Sequence, residues 1–234
     1  MYNPVDWRST AAPPALHRGT IHLWKWSLAP PPQWRSAELR GWLSRDEQER
    51  MQRFLLPDVR RRFLIARAGL RGILARYLDL HPQGLVFAYG PQGKPALPPP
   101  YAALEFNLSH CGDLALLGVA ADQALGVDLE QLRPKQNLLS IARRAFPAEQ
   151  YLELRGLQGD DLLQGFYRCW TAIEARTKAE GQGIFKTLRE HTPPPCEVSH
   201  LIPAPGFLAA VAAQCLPTHP ASWHYLDPGW NDPA

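Results

Sequence analysis

Two acids two residues apart at the end of an apolar run, Asp128 and Glu130 in G-V-D-L-E, are the first residues here whose spacing suggests chemistry. In a strand, positions two apart project from one face, so both carboxylates enter the same space. Held together they repel unless a cation lies between them, and hard oxygen ligands favour magnesium. A second set lies in W-T-A-I-E-A-R-T-K, Trp170 to Lys178, where Glu174 and Lys178 stand four apart on one helix face. Alone, that pair reads as an ordinary ion pair worth about 0.3–0.5 kcal/mol. As a third carboxylate beside Asp128 and Glu130, Glu174 would complete a metal site that leaves positions for water and phosphate.

Donors suited to phosphate oxygens occur upstream. Lys94 lies on the turn P-Q-G-K-P-A-L, and Ser109 and His110 end the run F-N-L-S-H. Neither a G-x-x-x-x-G-K-[ST] loop nor a G-x-G-x-x-G fingerprint is present, so a P-loop or Rossmann nucleotide site is not expected.

These residues need elements to position them. Thr20 to Ser27 (TIHLWKWS) alternates polar and apolar residues and predicts a half-buried strand. Ser44 with Glu47 resembles a capping box, opening a helix through Gln52. Apolar residues at three- and four-residue steps predict a long helix over about Asp58 to Leu80, whose other face carries Arg60, Arg61, Arg62, Arg67, Arg71 and Arg76. Short strands are expected at Leu85 to Tyr89, Phe106 to Leu108, Leu114 to Ala121 and Leu125 to Leu129, the last two as a hairpin whose second strand ends in acidic residues. Helices are expected at Leu138 to Arg144, Ala148 to Leu154 and Leu162 to Glu180, with a late strand at Phe207 to Gln214. Apolar strands after Ser109–Asp113 and after Pro203–Gly206 echo one another, as an internal duplication would. Proline clusters at Pro30 to Pro32, Pro98 to Pro100 and Pro193 to Pro195 punctuate the chain.

Composition bounds the classes. A chain of 234 residues with 45% hydrophobic content can fill a core, which disfavours a disordered or fibrous protein. Its longest apolar stretches fall short of the roughly 20 residues needed to span a bilayer, so no membrane partner is expected. Residues 1–15 do not read as a secretory signal, and a cytoplasmic location is expected. Cys111, Cys169, Cys196 and Cys215 form no C-x-x-C pair, which argues against a zinc or disulfide framework. A net charge of +3 is too small for a dedicated nucleic-acid binder and suits a phosphate-rich ligand or an acidic partner.

Four ordered motifs, G-K-P at Gly93 to Pro95, N-L-S-H at Asn107 to His110, G-V-D-L-E at Gly126 to Glu130 and W-T-A-I-E-A-R-T-K at Trp170 to Lys178, resemble those of the 4'-phosphopantetheinyl transferase superfamily, in its larger pseudo-dimeric, surfactin-synthetase-activating type. The similarity runs from about Ile21 to Ala213. It implies an α/β (α+β) fold of two similar, pseudo-twofold related subdomains, each a small, mostly antiparallel sheet with a long helix. The expected division is an extension at 1–19, subdomains at 20–121 and 122–218, and a tail at 219–234. By resemblance, Asp128, Glu130 and Glu174 would hold magnesium, or manganese in its place. Arg62, Arg67, Lys94, Ser109 and His110 would grip coenzyme A, with Lys178 at the attacked phosphate and Glu174 as base. The expected partner of this monomeric enzyme is an apo acyl or peptidyl carrier protein presenting an acidic helix. Ile173 stands where the family commonly has lysine. That departure and Pro147 motivate an alternative, a catalytically impaired coenzyme A-binding relative. A nucleic-acid or scaffold protein built on the arginine helix is the third reading.

Overall fold

A computed structural model describes residues 5–29, 36–181 and 196–230; the expected punctuation at Pro30–Pro32 and Pro193–Pro195 lies outside them. Among the described residues are six α-helices and three sheets, a mixed α/β architecture. The first sheet has the order β1-β10-β2-β6-β5, formed by Arg8–Ser9, Trp223–Asp227, Ile21–Ser27, Leu114–Ala121 and Leu104–Cys111. The second has the order β7-β9-β8, formed by Leu125–Gln131, Phe207–Ala213 and Glu197–Leu201. A two-residue ladder joins β3 (Ala88–Tyr89) to β4 (Pro95–Ala96) around the G-K-P turn, where Gly93 adopts φ +77°.

The two halves repeat one topology. A strand (β2 or β7) is followed by helices and then by a hairpin whose second strand pairs with it, giving β2-β6-β5 and β7-β9-β8. The first sheet is larger than the small, mostly antiparallel sheet expected, because β10, from the segment expected as a tail, pairs parallel with β2 and β1 pairs parallel with β10. That sheet is therefore mixed, while the second is antiparallel throughout.

Burial explains the layering. His22, Trp24 and Trp26 alternate along β2, and both tryptophans pack with helix α3 (Pro57–Leu78). Ile21 and Leu23 point the other way, into a cluster with Leu125, Val127, Leu129, Ala209 and Val211 of the second sheet. The strand expected to be half-buried is thus covered on both faces. Helix α6 (Gly159–Ala179) closes the far face of the second sheet through Ala175 and Ala179 against Ala210 and Ala212. The order of layers is helix, sheet, sheet, helix. The capping box forms as expected, with the Ser44 N–H donating to Glu47 Oε2 at 3.0 Å ahead of α2 (Arg45–Gln52). Helix α1 (Ser36–Trp42), β1, β8 and β10 had no expectation; each is short, and β10 follows a proline-rich stretch that masks it.

His22 carries a measurable consequence. It is fully buried, with Nδ1 2.8 Å from the Tyr77 hydroxyl, which also accepts from Trp24 Nε1 at 2.8 Å. Burial, then the positive charges of His224 and His17, lowers its pKa from 6.5 to about 4. The folded state binds this proton less readily than the unfolded one, so stability present above pH 6.5 is lost as pH falls towards 4. Chemical denaturation at pH 7 and 4.5 should show wild type losing about 2 to 3 kcal/mol more than His22→Phe over that interval.

Candidate active site

The site forms where β5, the edge strand of the first sheet, lies against β7, the edge strand of the second. Positions 107, 109 and 111 of β5 face β7, whose outer edge presents backbone N–H groups with no neighbouring strand. Side chains complete that edge: the Val127 N–H donates to Asn107 Oδ1 at 2.8 Å, and the Leu129 N–H donates to Ser109 Oγ at 3.2 Å. Buried backbone donors need such partners, and a strand residue that supplies them from two alternate positions fixes the register of the seam.

With β7 so held, Gly126, Asp128 and Glu130 turn to α6. A Cβ at Gly126 would lie 1.9 Å from the Ala175 carbonyl oxygen and 2.4 Å from the Ala179 nitrogen, so glycine alone lets the helix backbone close onto the strand. This approach brings α6 side chains onto the acids. Lys178 Nζ is 2.6 Å from Asp128 Oδ1 and 3.3 Å from Ser109 Oγ. The Ser109 hydroxyl lies 3.3 Å from the same Asp128 oxygen. Asp128 is 4% exposed, and its buried Oδ2 has no hydrogen-bond partner among the described residues.

Glu174 is raised from 4.5 to about 7, first by burial and then by the charges of Asp128 and Glu130, against the opposing Lys178. Glu130 is raised as well, by burial and then by Asp128, with Lys135, Cys111 and Trp170 opposing. Cys111 Sγ lies 3.7 Å from Glu130 Oε2. Glu174 on α6 therefore feels the charges of Asp128 and Glu130 on β7.

Beside this junction lies a cleft of about 500 Å³. Phe54, Val59, Phe63, Ala66 and Leu108 supply apolar walls, and Arg50, Arg62, Arg67, Asn107 and His110 supply polar ones. His110 is exposed at the mouth; partial desolvation in the cleft, then the charges of Lys178 and Arg62, lowers its pKa. Arg62 Nε pairs with Asp113 at 2.8 Å. Arg67 is held by the buried Glu47 and lies 3.2 Å from the Tyr89 hydroxyl.

Ser109, Asp128, Glu130, Glu174 and Lys178 thus come together, and Arg62, Arg67 and His110 line the adjoining cleft. Lys94 stands apart from both. Its Nζ donates to the carbonyls of Leu125 at 3.1 Å and Ala179 at 3.2 Å, tying the G-K-P turn to the start of β7 and the end of α6. Ile173, 3% exposed, packs in the cluster that contains Phe146, Phe166 and Leu208, away from the acids. Sequence reasoning missed the roles of Asn107 and Glu47. The first shares a strand face with Ser109 in F-N-L-S-H, and the second is the acid of the capping box, which also pairs with Arg71 at 2.6 Å.

Two family profiles match adjoining stretches of the chain: "4'-phosphopantetheinyl transferase, N-terminal" over residues 25–123 and "4'-phosphopantetheinyl transferase superfamily" over 124–226. The chain belongs to the 4'-phosphopantetheinyl transferase superfamily. It is an enzyme of that class. Among its relatives, the 4'-phosphopantetheinyl transferase HetI of Nostoc sp. is 38% identical over 219 residues, 88% of this chain and 92% of the relative. The 4'-phosphopantetheinyl transferase Sfp of Bacillus subtilis is 30% identical over 154 residues, 61% of this chain and 67% of the relative. A putative 4'-phosphopantetheinyl transferase of Synechocystis is 41% identical over 152 residues, 64% of this chain and 62% of the relative. No helix of the transferase among the described residues is long and apolar enough to cross a membrane.

Among the described residues no three His, Cys, Asp or Glu side chains stand as a ready-made metal group. The donor chemistry nevertheless fits a hard cation: Glu174 and Glu130 both feel the charge of Asp128, whose buried Oδ2 has no partner among the described residues. Because Glu174 titrates higher when folded, the folded transferase binds its proton more readily, and this group's contribution to stability falls as pH rises from 4.5 through 7. In metal-free buffer, Glu174→Gln should therefore gain on the order of 1–2 kcal/mol over wild type between pH 5 and pH 8, after discounting for solvent screening. Denaturant midpoints at the two pH values check this.

Proposed function

We propose that this transferase moves the 4'-phosphopantetheine of coenzyme A onto a serine of an apo acyl or peptidyl carrier protein, releasing 3',5'-adenosine bisphosphate. The observation that carries the reading is the Lys178–Asp128–Ser109 junction at the seam, with a basic cleft opening beside it. Arg62, Arg67 and His110 would hold the nucleotide phosphates against the apolar walls, since guanidinium and imidazole donors match phosphate oxygens. Lys94 supports the site as a strut between β7 and α6.

Asp128, Glu130 and Glu174 would hold magnesium or manganese, which supplies positive charge to the pyrophosphate oxygens. The remaining chemistry falls to this chain's own groups. The carrier serine oxygen attacks the β-phosphorus in line, the bond from that phosphorus to the bridging oxygen breaks, and the electron pair leaves with the adenosine bisphosphate. Glu174 takes the serine proton. Its position on α6 beside Lys178 would put this carboxylate at the reacting phosphate, where a serine hydroxyl needs a base within hydrogen-bond reach. Lys178, reaching from α6, faces the charge that develops on the transferred phosphoryl group, with Ser109 and Asp128 fixing its ammonium. The site is complete within one chain, which supports action as a monomer, and the cytoplasm is the proposed location.

Intact-mass measurement of apo acyl and peptidyl carriers incubated with the protein, coenzyme A and magnesium should show the gain of one phosphopantetheine. No gain on any carrier would contradict the reading. Glu174→Gln should lower turnover by about 100-fold or more while leaving coenzyme A affinity within about threefold. An equally active variant would remove Glu174 from the role of base.

A further inference from the structure

The connection from α2 to α3, Phe54-Leu55-Leu56-Pro57, exposes two adjacent leucines, Leu55 at 91% and Leu56 at 65%, with Val59 at 36% beside them. Single exposed leucines are ordinary; two in a row on a fixed turn form a ledge. The turn is fixed on several sides. Arg60 Nη2 donates to the Phe54 carbonyl at 2.8 Å, the Phe54 ring packs on Phe63 with centroids 5.2 Å apart, and Arg50 lies 5.6 Å over the Phe63 ring. Pro57 starts α3, where a missing N–H costs nothing.

The ledge is ringed by positive charge. Arg50, Arg53 and Arg60 are all exposed around it, and the nearby Asp58 is paired with Arg61 at 3.6 Å. It also borders the active site. Phe54 and Val59 line the cleft, and Arg62, one turn into α3, binds Asp113 in the β5–β6 turn. That turn in its turn abuts β7, with the Cβ position of Gly112 only 3.2 Å from Gln131 Oε1. A partner resting on Leu55 and Leu56 is therefore beside the cleft that Phe54 and Val59 line.

Resting on the proposed function, we infer that Leu55 and Leu56, with Arg50, Arg53 and Arg60, form the docking surface for the carrier protein, taking an acidic amphipathic helix. The leucines meet the apolar stripe of that helix and the arginines meet its carboxylates, which steers encounter and sets register. Leu55, Leu56, Arg53 and Arg60 line neither the cleft nor the acidic junction, and Arg50 alone is shared between ledge and cleft.

Steady-state transfer with Leu55→Asp/Leu56→Asp tests this, and melting curves should match wild type because both side chains face solvent. The KM for apo-carrier should rise about tenfold or more, while the KM for coenzyme A stays within about twofold. Arg53→Glu/Arg60→Glu should also raise the carrier KM and flatten its dependence on salt. Unchanged carrier KM in both variants overturns the proposal while wild-type transfer leaves the function standing. A leucine variant that instead converts a wild-type dimer to monomer, or abolishes binding to anionic vesicles with carrier KM intact, assigns the ledge to another occupant and overturns it as well. A wild-type protein that modifies no carrier overturns both readings together.

Discussion

The contact on which the site depends is the 2.6 Å approach of the Lys178 ammonium to Asp128, because it can exist only if a helix of one layer and a strand at the edge of another are held in register. Asp128 is almost fully buried, and leaving a buried carboxylate without its cation would cost several kcal/mol. The fold meets that requirement twice over. From below, Gly126 lets α6 descend onto β7; from the side, Asn107 and Ser109 complete the hydrogen bonding of the β7 edge. Ser109 does both tasks at once, accepting the Leu129 N–H and touching Lys178 and Asp128.

This arrangement also explains why the acids are perturbed. Burial first, and then the negative charge of neighbouring carboxyls, raises Glu174 and Glu130 in this half-buried seam. That negative charge is what a divalent cation would relieve. The cleft next to it has the opposite balance, with Arg50, Arg62, Arg67 and His110 around apolar walls, so an anionic ligand bridging the two would satisfy both. Lys94, which by type alone suits a phosphate, is used instead to clamp the ends of β7 and α6.

Much of this was legible in the chain. The period-2 spacing of Asp128 and Glu130 and the i,i+4 spacing of Glu174 and Lys178 predicted shared faces, and the long helices followed from periodicity. The hairpin expected of Leu114–Ala121 and Leu125–Leu129 does not form, because β6 pairs with β2 and β5 while β7 pairs with β9 in the other sheet. The repeat of topology was foreshadowed by the two apolar strands after matching loops. Other features were not readable because they depend on contacts between distant segments. The pairing of Trp223–Asp227 with β2 is decided by an open sheet edge some 200 residues earlier in the chain, which a short, proline-flanked segment cannot announce. The strut role of Lys94 depends on where the ends of β7 and α6 come to lie. Ile173 read as a missing phosphate contact, yet its position on α6 makes it a core residue beside Phe166.

The central claim is that one charge-coupled junction across the seam takes both the cation and the pyrophosphate. Calorimetric titration of coenzyme A into wild type and Asp128→Asn, each with and without magnesium, tests it most directly. Magnesium should tighten coenzyme A binding to wild type by about tenfold or more, and the variant should lose that dependence while keeping its metal-free affinity. Equal magnesium dependence in the two proteins, or none in wild type, would contradict the account.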